Sequence, residues 1–196
     1  MYKLFGSLLF SFLALPGAFG QEAVGTSTVT LSVGGETPPR NEFGESLGPV
    51  FTGNYEYRLR KYWAVEAGVQ NMLPSTTHYE FIGVPTGTSI LYQQFCCFFV
   101  PDRTRVTLLP FGFRGILPVS GGRVELFAGL GGAYAWHSGY SYENAWLLQT
   151  SAGGRVALDK QHHFWLGTSG RFFNNFGPNR QQWLSWTADL GLRFGH

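Results

Sequence analysis

"RVELFAGLGGAYAW", Arg123 to Trp136, separates into two faces when it is written as an extended chain. Val124, Leu126, Ala128, Leu130, Gly132, Tyr134 and Trp136 share one side, and Glu125, Phe127, Gly129, Gly131, Ala133 and Ala135 share the other. The first face is apolar and closes on aromatics; the second is mostly small and carries one charge. A strand of a soluble sandwich presents Lys and Glu on its water-facing side, and no such side exists here. An apolar face turned to lipid and a small or polar face turned to a narrow, filled interior account for the pattern.

The same division recurs along the chain. In "FTGNYEYRL", Phe51, Gly53, Tyr55, Tyr57 and Leu59 oppose Thr52, Asn54, Glu56 and Arg58. In "WAVEAGVQ", Trp63, Val65, Ala67 and Val69 oppose Ala64, Glu66, Gly68 and Gln70. "WTADLGLRF" sets Trp186, Ala188, Leu190, Leu192 and Phe194 against Thr187, Asp189, Gly191 and Arg193. "WLLQTSAGGRVAL", "FWLGTSGRFF", "STVTLSVG" and the less regular "RVTLLPFGFRG" complete a set of about eight strands. The fold class read from this is all-β: a closed antiparallel transmembrane β-barrel, since only closure leaves no backbone edge unpaired in hydrocarbon.

Composition agrees. Of 196 residues only 13% are charged, while 17% are aromatic and 27 are glycine. "MYKLFGSLLFSFLALPGAFG" has one early cation, Lys3, a short apolar run and Ala18-Phe19-Gly20, and reads as a cleavable signal over residues 1–20, ahead of a single barrel domain over 21–196. Its apolar run is shorter than a spanning helix requires. The net charge of +2 gives no reason to expect a nucleic-acid partner.

"LLPFGFRGILPVSGGRVELFAGLGGAYAW", Leu108 to Trp136, a strand, a short turn and a Gly-rich strand, resembles the repeating unit of small bacterial outer-membrane barrels, similar to the OmpA barrel domain, OmpX and OmpW groups. The resemblance covers the whole mature chain and implies a bacterial outer-membrane location reached through the periplasm. It also implies outer-membrane lipid, lipopolysaccharide and the barrel assembly machinery as partners, with an unidentified surface protein as a further one. Short periplasmic turns are expected at Arg60-Lys61, 118–122 and 159–162, and longer outer loops at 35–46, 73–103, 137–144 and 174–182. The chain departs from the family in ending Phe194-Gly195-His196 rather than on an aromatic.

Three groups of residues are candidates for function. Glu56, Arg58, Glu66, Arg114, Glu125, Arg155, Arg171, Asp189 and Arg193 fall on inward positions as a lumen charge network, because charges in so narrow an interior need partners. Trp63, Trp136, Trp146, Trp165, Trp183 and Trp186 lie at or near strand ends, as an interfacial aromatic girdle would. Phe95, Cys96, Cys97, Phe98 and Phe99, within the outer hairpin over about 73–103, form a loop contact patch or simply pack that hairpin. A disulfide between adjacent strand residues requires the backbone to leave the extended form, and a zinc site has only His78 to assist in this loop. No metal or cofactor is expected.

"GRFFNNFGPNRQQW", Gly170 to Trp183, resembles the penultimate strand of outer-membrane lipid A deacylases, but Asn174, Asn175 and Phe176 stand where those enzymes carry His-x-Ser-Asn. The other candidate pair, His137-Ser138 with Glu143 nearby, diverges on a strand. The expectation is therefore a non-enzymatic barrel with no catalytic residues, presenting surface loops for interaction or envelope integrity. A narrow conduit for small apolar solutes is the alternative of another class.

Overall fold

The computed structural model describes residues 24–37, 48–73, 76–81, 97–102, 105–138, 143–175 and 182–195. The leader expected at residues 1–20, and Phe95 and Cys96 of the loop patch, lie outside them. Eight antiparallel strands close into a barrel in the order β1-β10-β9-β8-β7-β6-β3-β2. They are β1 (Ser27–Thr37), β2 (Pro49–Arg60), β3 (Trp63–Met72), β6 (Arg105–Val119), β7 (Val124–Ser138), β8 (Ala145–Ala157), β9 (Phe164–Asn174) and β10 (Gln182–Phe194). Between β3 and β6 the chain leaves the wall and forms a separate two-stranded hairpin, β4 (Thr76–Phe81) with β5 (Cys97–Asp102).

Strand alternation makes the barrel inside out relative to a soluble protein. Leu31, Phe113 and Leu190 point outward and are more than half exposed, whereas Glu56, Glu125 and Arg58 point inward and are buried. Because the register fixes every second residue to the same side, a charge on the outer face disrupts the strand without reaching the interior. Leu130→Arg, near the middle of β7, is expected to cost about 2 to 4 kcal/mol in urea unfolding from lipid bilayers. A neutral result would mean that β7 is threaded with its other face to lipid.

The short connections sit at one end. The β6–β7 turn is a 3-10 turn over Ser120–Gly122, with φ of 52°, 67° and 83° at Ser120, Gly121 and Gly122. The two glycines, lacking a Cβ, take this left-handed conformation at little steric cost. In the β8–β9 turn the Asp159 carboxylate accepts the backbone N–H groups of His163 at 3.1 Å and Phe164 at 2.8 Å. Mid-wall, Gly112 of β6 faces Gly131 of β7, and a Cβ at Gly131 would stand 2.0 Å from the Phe111 carbonyl oxygen. The small inward residues thus let neighbouring strands approach as closely as a narrow barrel demands.

The tryptophans divide. Trp136, Trp146 and Trp186 project outward at 61%, 68% and 56% exposure, and Trp63 is half-buried. Trp165 and Trp183 are corrections to the expected girdle: both point into the lumen and are buried. Their neighbours Phe164 and Leu184 take the outward positions instead. In an apolar pair such as Phe164-Trp165 or Trp183-Leu184, hydrophobicity alone does not say which member faces out.

The lumen is also less uniform than small and polar faces suggest. Toward the long-loop end, Val50, Met72, Val106, Leu108, Ala133, Ala135, Leu147, Phe173 and Trp183 pack together as an apolar plug. On β6 the inward and outward residues are both largely apolar, which is why its alternation reads as irregular. Ala64, Ile116 and Phe127 form a smaller apolar cluster toward the short-turn end.

Candidate functional site: an ion belt in the lumen

Below the apolar plug, level with the smaller cluster and extending toward the short turns, lies a ring of buried charges. Glu125 on β7 accepts hydrogen bonds from Arg58 at 3.0 Å, Arg155 at 2.7 Å and Arg193 at 2.8 Å. Glu56 on β2 accepts from Arg155 at 2.6 Å and Arg114 at 2.9 Å. Glu66 on β3 takes a short hydrogen bond from Arg114, has Arg171 at 3.6 Å, and accepts from Asn54 and Gln149 at 3.2 Å each. Arg155 binds two carboxylates and Arg114 binds two, so Glu66, Arg114, Glu56, Arg155 and Glu125 form one continuous chain across the barrel.

Every wall strand contributes. β1 supplies Thr28, whose hydroxyl accepts from Arg193 Nε at 3.4 Å, and β9 supplies Arg171. The arginines also lie against aromatic faces, Arg114 at 4.2 Å from the Phe127 ring and Arg193 at 4.2 Å from the Trp165 ring. Arg155 stands 5.3 Å from the Trp165 ring and 5.8 Å from that of Phe127. Ring faces are electron-rich, and they hold guanidinium planes that bidentate carboxylates then complete. Trp165 is itself tied down, its indole N–H donating to the His162 carbonyl at 2.7 Å.

All nine charged residues singled out from the sequence lie on the inward face. Eight are joined by the ion pairs above, while the ninth, Asp189, accepts a hydrogen bond from the Thr187 hydroxyl at 2.7 Å. Sequence reasoning missed the polar residues that serve the carboxylates, Asn54 and Gln149, although both occupy inward positions of strands already recognised. It also missed Glu36, fully buried near the long-loop end of β1. A cavity of about 20 Å³ lies beside the belt, lined in part by Asn54, Arg114, Arg171 and Asp189. That is room for a water and not for a solute.

The other candidates are placed apart from this belt. His137 is buried with its ring 5.7 Å from that of Trp183, while Ser138 is exposed on the opposite face and donates to the Arg105 carbonyl at 3.3 Å. The two make no nucleophile and base pair. Asn174, at the end of β9, accepts from the Gln182 side chain at 3.3 Å. Cys97, Phe98 and Phe99 stand on β5 opposite Phe81, Glu80 and Tyr79, and His78 pairs with Val100. Among the described residues, no group of three or more His, Cys, Asp or Glu is placed to hold a metal ion.

The closed eight-stranded antiparallel barrel is a fold shared with solved outer-membrane proteins. The chain is similar to the outer membrane protein OprG of Pseudomonas aeruginosa, with a TM-score of 0.58 and 10% identity over 90% of this chain and 99% of that one. It is also similar to Ail, the attachment invasion locus protein of Yersinia pestis, in complex with the heparin analogue sucrose octasulfate. There the TM-score is 0.56 and the identity 13%, over 87% of this chain and 99% of that one. Neisserial surface protein A matches with a TM-score of 0.52 and 9% identity, over 86% and 96% of the two chains. No protein-family model matches the sequence, and no curated protein matches it.

Proposed function

We propose that the chain is a non-enzymatic bacterial outer-membrane barrel, closed along its axis, whose long connections present a surface for interaction or envelope integrity. One observation carries this reading: an ion belt built from all eight wall strands crosses the lumen, with an apolar plug stacked above it. A water-filled pore needs a much wider barrel. The leader over 1–20 delivers the chain to the periplasm, the short turns remain there, and the long connections face outward. The described part of the proposed contact patch, Cys97, Phe98 and Phe99, lies on β5 of the β4–β5 hairpin. Lipid and lipopolysaccharide around the wall, and the assembly machinery at its folding, are the partners that belong to this proposal.

The test joins two measurements. The folded protein, recognised by a heat-shifted mobility on gels, is expected to show no steady conductance in planar bilayers. A variant with residues 76–99 replaced by a short Gly/Ser turn is expected to keep that mobility and to lose surface binding or self-association. Steady open-channel currents would overturn the closed-barrel reading, and failure of the excised variant to fold would make the hairpin a structural part.

Passage of small apolar solutes has one observation in its favour. The β3–β6 ladder runs from Trp63↔Gly115 to Ala67↔Phe111 and resumes at Gln70↔Leu108, skipping Pro110, which has no N–H to donate. The apolar plug lies alongside. Uptake of an apolar dye into vesicles containing the protein, abolished by Pro110→Val, would establish this second reading.

A further inference from the structure

Four of the described cations gather at the short-turn end of the barrel, while the exposed Arg105 and Glu143 lie at the other end. Arg60 and Lys61 lie at the β2–β3 turn, Arg123 at the β6–β7 turn and Lys160 at the β8–β9 turn, so each short turn carries at least one cation. Arg60, Arg123 and Lys160 are exposed, and Lys61 stands 5.3 Å from the Tyr62 ring. Asp159 is the one carboxylate among these described turns, and its oxygens are already engaged by the backbone of His163 and Phe164. Immediately beside the cations, Leu59, Val119, Leu158 and Phe164 project outward and exposed.

A ring of cations bordering a ring of outward apolar side chains matches the chemistry of a lipid leaflet: acyl chains against the wall and phosphates level with the turns. We propose that this collar selectively holds the headgroups of anionic phospholipids, of the phosphatidylglycerol class, in the leaflet that meets the short turns. The inference rests on the membrane-barrel reading above and adds a lipid preference to it. An acidic soluble protein would match the charge but leave the adjoining apolar ring without a role. Each cation near an anionic surface strengthens association about 5-fold, and salt weakens it.

The experiment uses the full folded chain in phosphatidylcholine vesicles containing a minor fraction of spin-labelled phosphatidylglycerol or spin-labelled phosphatidylcholine. The motionally restricted lipid at the wall is measured for each. The parent is expected to favour phosphatidylglycerol by at least about 5-fold, and the preference is expected to fall as salt is raised. The combined variant Arg60→Gln, Lys61→Gln, Arg123→Gln and Lys160→Gln is expected to insert with the same heat-shifted mobility and to lose the preference. Single-turn variants, Arg123→Gln and Lys160→Gln, keep the test available if the combined variant fails to fold, and each is expected to lose part of it. Equal association of the two lipids with the inserted parent, or a preference unchanged in the variants, would overturn the collar. A parent that fails to insert into any vesicle would instead overturn the membrane-barrel reading.

Discussion

Glu125→Ala is expected to destabilise the barrel by about 3 to 5 kcal/mol, because it leaves buried cations without their counter-charge. Three guanidiniums, those of Arg58, Arg155 and Arg193, bind this carboxylate within 3.0 Å. Of the three, only Arg155 also bonds a second glutamate, Glu56. Removing Glu125 therefore strands Arg58 and Arg193 more completely than it strands Arg155. Urea unfolding in lipid, followed by the heat-shifted gel mobility, reads the effect directly. Adding Arg193→Met to the variant should recover part of the loss, since one of the stranded charges then disappears. A loss below about 1 kcal/mol for Glu125→Ala, the range of an exposed pair, would show that the belt is solvated rather than closed.

Trp165→Ala should produce a loss of similar size, about 3 to 5 kcal/mol, by opening a cavity where a large buried ring stood. The ring also lies against the guanidiniums of Arg155 and Arg193, so its removal loosens one side of the belt. Trp186→Ala, on the lipid side, removes an exposed ring and should cost less. Brominated lipids provide an independent check: they should quench emission from Trp136, Trp146 and Trp186 and leave Trp165 largely unquenched in single-tryptophan variants. Equal quenching of Trp165 and Trp186 would mean that β9 faces the other way.

These two outcomes bear on how much of the molecule could be read without coordinates. The stretch from Arg123 to Trp136 shows its two faces plainly because one is apolar and the other small, and lipid and lumen place opposite demands on alternate residues. The approximate number of wall strands and the inward position of Glu56, Glu125 and Arg155 follow from that period. The same reasoning fails at Trp165 and Trp183, where two apolar neighbours compete for the outward position. It also leaves the inward residues of β6 obscure, since the apolar plug makes both faces of that strand alike.

By itself, then, the sequence determined the alternation, the closed barrel it requires, and which charges must face inward, because a local period of two is enough to specify a side. Which of those charges meet depends on how the barrel closes. Arg114 reaches Glu56 across 58 positions of chain and Arg155 reaches the same carboxylate across 99. No local pattern encodes such pairs. They arise when eight strands close with one register and bring distant residues to the same level of a narrow lumen, where each buried cation must find an anion.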